Sequence, residues 1–162
     1  MGTCSPCRRS RGFTVTEMLI VVAIMGILAA IATPYMGDMI RRQRIKTAAF
    51  DVFSSLSFAR SEAIKRNTTV TLTPTNAADW AFGWRIEDAN GTVLRDQAGW
   101  AIPPGTPSVN ILGPADVRFA SSGRPTALAA ISLTSTDVEA SSYRCVKLDL
   151  SGRAVSKEGA CS

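Results

Sequence analysis

The stretch from Phe13 to Gly37 constrains this chain more than any other part of it. After a basic leader that ends at Gly12, the sequence FTVTEMLIVVAIMGILAAIATPYMG carries one charged side chain, Glu17, five residues past the glycine. From Met18 to Gly37 no residue is charged. At the helical rise of about 1.5 Å per residue, that run crosses a hydrocarbon core of about 30 Å. A carboxylate inside such a helix costs about 2.5–3.5 kcal/mol on the milder insertion scales, so it calls for a partner. The side chains between Phe13 and Gly37 offer no cation. Cleavage after Gly12 would supply one, because the new α-amine of Phe13 lies one helical turn from Glu17. The alternative is that Glu17 sits at the membrane edge and snorkels to water.

A secretory signal peptide has an apolar core of about 7–15 residues, with its cleavage site after that core. Here the apolar run is longer and the candidate cut precedes it, so the segment is retained. A plain signal anchor is the other option, and it has no need of a glycine and an acid at this spacing. Arg8, Arg9 and Arg11 favour a cytoplasmic N-terminus, but Arg41, Arg42, Arg44 and Lys46 flank the far end, so charge counting leaves the orientation open. Taken together, Gly12, Phe13, Glu17, and an apolar helix containing Gly26 and Pro34 closely resemble the N-terminus of a type IV prepilin. The resemblance implies a prepilin peptidase working on the cytoplasmic face, N-methylation of Phe13, and a Glu17 that meets the Phe13 amine of a neighbouring subunit in a filament.

On that reading residues 1–12 are a cleaved leader, 13–37 a transmembrane and filament-core helix, 38–67 its amphipathic continuation, and 68–162 a β-rich head. The formal charge of +5 loses three of its charges with the leader, leaving 15 basic against 13 acidic side chains. The high isoelectric point is therefore no nucleic-acid signature. Cys4 and Cys7 look like half of a zinc site, yet the chain has no histidine and no second such pair, and both cysteines would leave with the leader. Cys145 and Cys161 remain on the outer side of the membrane, where disulfides persist. They either pair, contributing about 3 kcal/mol in the chain-entropy model, or stay two free thiols.

Beyond Pro34, which can kink the helix, Ile45, Ala49, Val52, Phe53, Leu56, Ala59 and Ala63 keep a 3.6-residue stripe that needs a sheet to cover it. The pattern breaks near Asn67. Thr68–Thr73 reads as a strand ended by Pro74, and Trp80–Asp88 with Thr92–Asp96 as a hairpin about Asn90-Gly91. A Gly- and Pro-rich loop covers 97–108. Strands follow at Val109–Leu112, Val117–Ala120, Leu128–Thr134, Tyr143–Leu150 and Arg153–Ser156, the last after a turn at Ser151-Gly152. One long helix followed by antiparallel strands belongs to the α+β class. The runs Phe82–Ile86, Val117-Arg118-Phe119 with Ser122-Gly123-Arg124, and Cys145-Val146 with Ser151-Gly152-Arg153 resemble the GspH/FimT (FimU) branch of prepilin-like proteins. That resemblance implies a membrane helix packed on a β-sandwich-like head.

The lack of histidine removes the commonest general base, and no Walker loop, Cys–His pair or dinucleotide-type glycine pattern is present. Neither an enzyme nor a cofactor is expected. Trp80, Phe82, Trp84 and Trp100 read either as a stacking platform or as core. The basic run Arg41–Lys46 reads as a contact to lipid head groups or an acidic partner face, or as a solvated helix face. The family resemblance adds a C-terminal Gly-Arg-x-Arg motif associated with DNA binding. Here it reads Gly152-Arg153-Ala154-Val155, with Val155 in place of the second arginine, so Arg153, Lys157 and Arg124 are the candidate DNA contacts. The partners implied are other major and minor pilins or pseudopilins, the prepilin peptidase, the inner membrane and, less directly, DNA. The function implied is that of a minor pilin at the filament tip. A type II secretion pseudopilin H and a DNA-capturing tip subunit are the alternatives.

Overall fold

The computed structural model describes residues 13–76, 79–100, 109–135 and 138–161, and the side chains of residues 31–35 lie outside that description. The expected leader, with Gly12 and the Cys4/Cys7 pair, also lies outside it, as does most of the loop expected over 97–108. Contacts divide the chain into two compact units, one ending at Gly37 and the other Asp38–Ser162.

Helix α1 spans Val15–Arg66. In the first unit every described side chain from Phe13 to Ala30 is exposed. Among the described residues no helix is long and apolar enough to cross a membrane. The uncharged run of the sequence continues through residues 31–35, where the expected Pro34 kink also falls.

In the second unit the helix buries the stripe anticipated from its period. Ile45, Ala48, Ala49, Val52, Leu56, Ala59 and Ala63 are all buried, with Phe53 partly so. Four of these are alanine, which lets the helix axis approach the sheet closely. Full burial of a Val, Leu or Ile side chain contributes about 1.5–3 kcal/mol, so Ile45, Val52 and Leu56 anchor the contact. The facing residues are Val70, Leu72, Trp80, Trp84, Ile86, Ile111, Phe119, Ile131, Leu133, Val146 and Leu148.

The strands are β1 (Val70–Asn76), β2 (Asp79–Asp88), β3 (Val93–Ala98), β4 (Asn110–Leu112), β5 (Val117–Phe119), β6 (Ala129–Thr134), β7 (Arg144–Leu148) and β8 (Ala154–Glu158). They form one antiparallel sheet in the order β5-β1-β2-β4-β6-β7-β8, with β3 also paired to β2. The head is thus a helix layer on one continuous sheet. The expected strands all form, with ends shifted by a few residues. The largest shift is at Pro74, which does not end β1 but lies inside it opposite Trp84. The reason lies in the neighbouring strand: β5 covers β1 only from Val70 to Leu72, so at Pro74 that side is an edge where no amide hydrogen is needed.

An ionic cluster fastens the end of α1 to the β2–β3 turn. Glu62 accepts from Arg66 Nε at 2.6 Å and lies 3.6 Å from Lys65 Nζ, while Arg66 Nη1 lies 3.8 Å from Asp88. The Arg66 hydrogen bond holds the Glu62 carboxyl below the usual carboxylate range. The Asp88 carboxyl is lowered chiefly by the amide of Thr92. Carboxyls with folded-state values below the unfolded value of about 4 stabilise the fold above that pH and lose the contribution as the pH falls through the folded value. Thermal stability should therefore be level above about pH 5 and fall below about pH 4. Arg66→Ala should lower the plateau and flatten the acid limb, as read by melting curves against pH.

Candidate functional site

The first candidate site is the start of α1. Thr14 precedes the helix, its Oγ1 accepts from the Glu17 amide at 3.2 Å, and Glu17 Oε2 accepts in return from the Thr14 amide at 3.5 Å. This reciprocal pair is a capping box. Thr14-x-x-Glu17 is its sequence signature, and it gives Glu17 a local amide partner where the sequence reading looks only for a cation. Within the subunit Glu17 therefore satisfies a helix-end amide. Phe13 beside it is 73% exposed.

The second candidate site is built from hairpin turns. Asp88–Thr92, Ala120–Arg124 and Asp149–Arg153 share one hydrogen-bond pattern. In each, the first amide donates to the fifth carbonyl and the fourth amide donates back to the first carbonyl. The fourth residue is Gly91, Gly123 or Gly152, with φ of +77°, +74° and +80°, a region glycine adopts at little cost. Asp149 Oδ1 also accepts from the amides of Ser151 and Arg153 at 2.8 and 3.1 Å. The Ser151 hydroxyl is the main cause of its lowered pKa.

Two of these turns pack against each other. A Cβ at Gly152 would collide with the Gly123 carbonyl oxygen, and one at Gly123 would press on Ile64 Cδ1 at 2.6 Å. Arg60, projecting from α1, donates through Nη1 to the Gly152 carbonyl at 2.9 Å, and its Nε lies 3.3 Å from the Cβ position of Gly123. The structure thus brings the turns that carry Arg124 and Arg153 together on Arg60. Arg60 was missed from sequence, where it is one more charge on a helix. The repeated Ser-Gly-Arg was the available signal.

Lys157 lies four residues beyond Arg153, about 13 Å along an extended strand. Strand alternation puts Arg153, Val155 and Lys157 on the face opposite to Ala154 and Ser156, whose partners Leu148 and Val146 face the core. Lys147 stands directly across from Val155, so a lysine neighbours the position where the motif lacks its arginine.

Cys145 and Cys161 form a disulfide, with Cα atoms 5.1 Å apart. By the same alternation Cys145 lies on the face away from α1, so the bond draws the C-terminal tail over that face. The tryptophans belong mainly to the core. Trp80 and Trp84 are fully buried with ring centroids 5.8 Å apart, Trp100 is half-buried, and Phe82 alone of the four is exposed. No stacking platform is assembled from them. Among the described residues no group of side chains is arranged to hold a metal ion.

The family described as "Type II transport protein GspH" matches residues 48–152, well over half of the chain. The chain belongs to the GspH family. The prokaryotic N-terminal methylation motif matches residues 7–33 of this GspH-family chain. A crystal structure of the type IV minor pilin FimU of Pseudomonas aeruginosa superimposes with a TM-score of 0.61, covering 72% of this chain and 90% of that one at 18% identity, so the pilin fold is shared. A fimbrial protein of P. aeruginosa is 46% identical over 57 residues, 35% of this chain and 36% of that protein. One from Moraxella nonliquefaciens is 53% identical over 38 residues, 24% and 25% of the two chains. The chain thus matches about a third or less of the length of these curated relatives.

In this GspH-family head the turn-on-turn contact leaves no room at Gly152. Gly152→Ala combines a backbone conformation that L residues rarely adopt with a collision against backbone, and should cost more than about 1 kcal/mol. Chemical denaturation of the full chain measures it. Gly91→Ala, with the same φ but open space around it, isolates the conformational part of the cost.

Proposed function

We propose that this chain is a minor pilin of the type IV pilus, a structural subunit that initiates or caps the filament tip. The observation that carries the reading is the helical stretch over residues 15–30, whose apolar side chains are exposed on every side. A helix apolar all round needs lipid or other helices to cover it. Support comes from the methylation motif over residues 7–33, which includes Gly12, Phe13 and Glu17. On this reading a prepilin peptidase cuts Gly12–Phe13, and the helix is held in the inner membrane with the N-terminus cytoplasmic and the head periplasmic. It then packs among the helices of major and minor pilins. Glu17 changes partners on assembly, giving up its contact with the Thr14 amide for the Phe13 amine of a neighbouring subunit. The alternative, a minor pseudopilin of type II secretion, uses the same parts.

A second reading, DNA capture at the tip, is favoured by the placement of Arg153 and Lys157 on one strand face and by the packing of the Arg124 turn against that of Arg153. These side chains neutralise phosphates and offer no base-reading element, so binding would be sequence-independent.

Two measurements test these readings. Peptide mass analysis of the protein from native membranes should find N-methylated Phe13 at the terminus, and Glu17→Ala should leave the protein inserted but impair filament formation. A mature chain retaining Arg8–Gly12, or normal assembly by the mutant where deletion abolishes it, overturns the filament role. Loss of secretion rather than of pili in the deletion strain assigns the chain to the pseudopilus. For DNA, titration with random-sequence duplex should give a slope of log affinity on log salt of about −2 to −3, reduced by about one in Arg153→Ala. No binding at low salt removes the second reading.

A further inference from the structure

Strand β8 ends the sheet, and among the described residues no strand covers its outer side. Gly159 donates to the Tyr143 carbonyl and Asp149 to that of Arg153, so the odd-numbered residues of β8 exchange their ladder bonds with β7. The amides and carbonyls of Ala154, Ser156 and Glu158 therefore point away from the sheet. Ala154 and Ser156 turn small side chains toward α1, too little to fill the space between the edge strand and the helix. A groove of about 670 Å³ is left there, lined by Phe53, Ile64, Arg60, Arg153 and the strand from Ala154 to Ser156. A second groove of about 250 Å³ continues it through Phe53 and Ser156 to Phe50, Lys46 and Arg144. From Phe53 to Ile64 the helix rises about 16 Å, the length of a five-residue strand.

We propose that this groove is a docking site for an extended acidic segment of a neighbouring filament subunit, which adds to β8 as a ninth strand. Backbone groups of β8 supply register, and the exposed Phe50 and Ile64 with the half-buried ring of Phe53 take alternate apolar side chains. The charges choose the partner. Arg60 and Arg153 stand at one end of the groove, Lys46 at the other and Lys157 on the strand itself. Among the described residues no carboxylate lines either groove, and Glu158, just beyond their end, is neutralised by Arg144 at 2.6 Å. A second copy of this chain is a poor occupant. Its other strand edges are β5, three residues long and carrying Arg118, and β3, which pairs only with β2 and balances Asp96 with Arg95, so neither is an acidic strand. DNA has no use for an open row of amides and carbonyls above an apolar floor. The disulfide holds the C-terminal tail on the other face of the sheet and so keeps the groove clear. The inference rests on the filament reading only for the source of the strand.

The test uses the full chain in detergent micelles, titrated with a soluble peptide of alternating valine and glutamate. Its valine–lysine counterpart and a random-sequence duplex are the comparisons. Amide hydrogen exchange at Ala154, Ser156 and Glu158 is the readout. The acidic peptide should slow exchange at these three amides by about tenfold or more and leave the rest of the sheet unchanged. Ser156→Pro removes one outward amide without touching the β7 ladder, and Ala154→Leu fills the groove. Each should weaken binding by about tenfold. Equal protection by the lysine peptide, displacement by duplex, or protection that grows with protein concentration alone overturns the proposal. So does peptide binding that is indifferent to both variants. Failure of Phe13 processing or of filament formation bears on the filament role and leaves the peptide result standing.

Discussion

Everything in the head depends on how closely α1 lies on the sheet. The buried stripe is mostly alanine, and Ala48, Ala49, Ala59 and Ala63 let the backbones approach while Ile45, Val52 and Leu56 fill the gaps between facing side chains. A helix held at that distance also fixes what its flanks can reach. Arg60 then arrives at the Gly152 carbonyl, and Arg66 comes within range of Asp88. One contact surface thus orders the hydrophobic core, the pair of Ser-Gly-Arg turns and the ionic clamp on the β2–β3 hairpin.

The same contact explains where the fold is left open. On β7, Val146 and Leu148 meet the helix, whereas on β8 their neighbours are Ser156 and Ala154. Shortening the side chains at the last strand leaves a groove where a sheet of uniform residues would have closed on the helix. Edge strands are ordinarily protected against pairing, and Lys157 does so here against all but acidic neighbours. Arg60, Arg153, Arg144 and Lys157 gather around that edge, although residues 13–162 as a whole are nearly balanced in charge.

In the filament role proposed, Glu17 would serve two states. In the isolated subunit it caps its own helix with Thr14, which costs nothing in the choice of partner because the interaction is local. In the filament role proposed, the amine of a neighbour replaces the Thr14 amide, and a charged pair takes over from a neutral cap. Exchange of this kind keeps a carboxylate satisfied before and after assembly, which matters most where lipid leaves no water to do so.

How much was legible followed from the range of the interactions. The helix, its buried stripe, the Asn90-Gly91 hairpin and the turn at Ser151-Gly152 are written in local periodicity and glycine placement, because each depends on residues within a few positions. The existence of the strands was equally local, but the role of Pro74 was not. Whether a proline ends a strand depends on whether another strand covers it, and that is settled by the reach of β5. Likewise Cys145 and Cys161 offered a pair or two thiols, and only the fold brings their Cα atoms to 5.1 Å. Arg60, the meeting of the Arg124 and Arg153 turns, and the Lys147 that stands across from Val155 were invisible for the same reason. They join residues far apart in the chain, and their coming together follows from sheet order and register. By itself the sequence determined an uncharged helix with a lone acid near its start and an α+β head behind it. The tertiary structure alone decided which turns meet on Arg60 and which strand remains open, because those follow from sheet order and register and from no pattern along the chain.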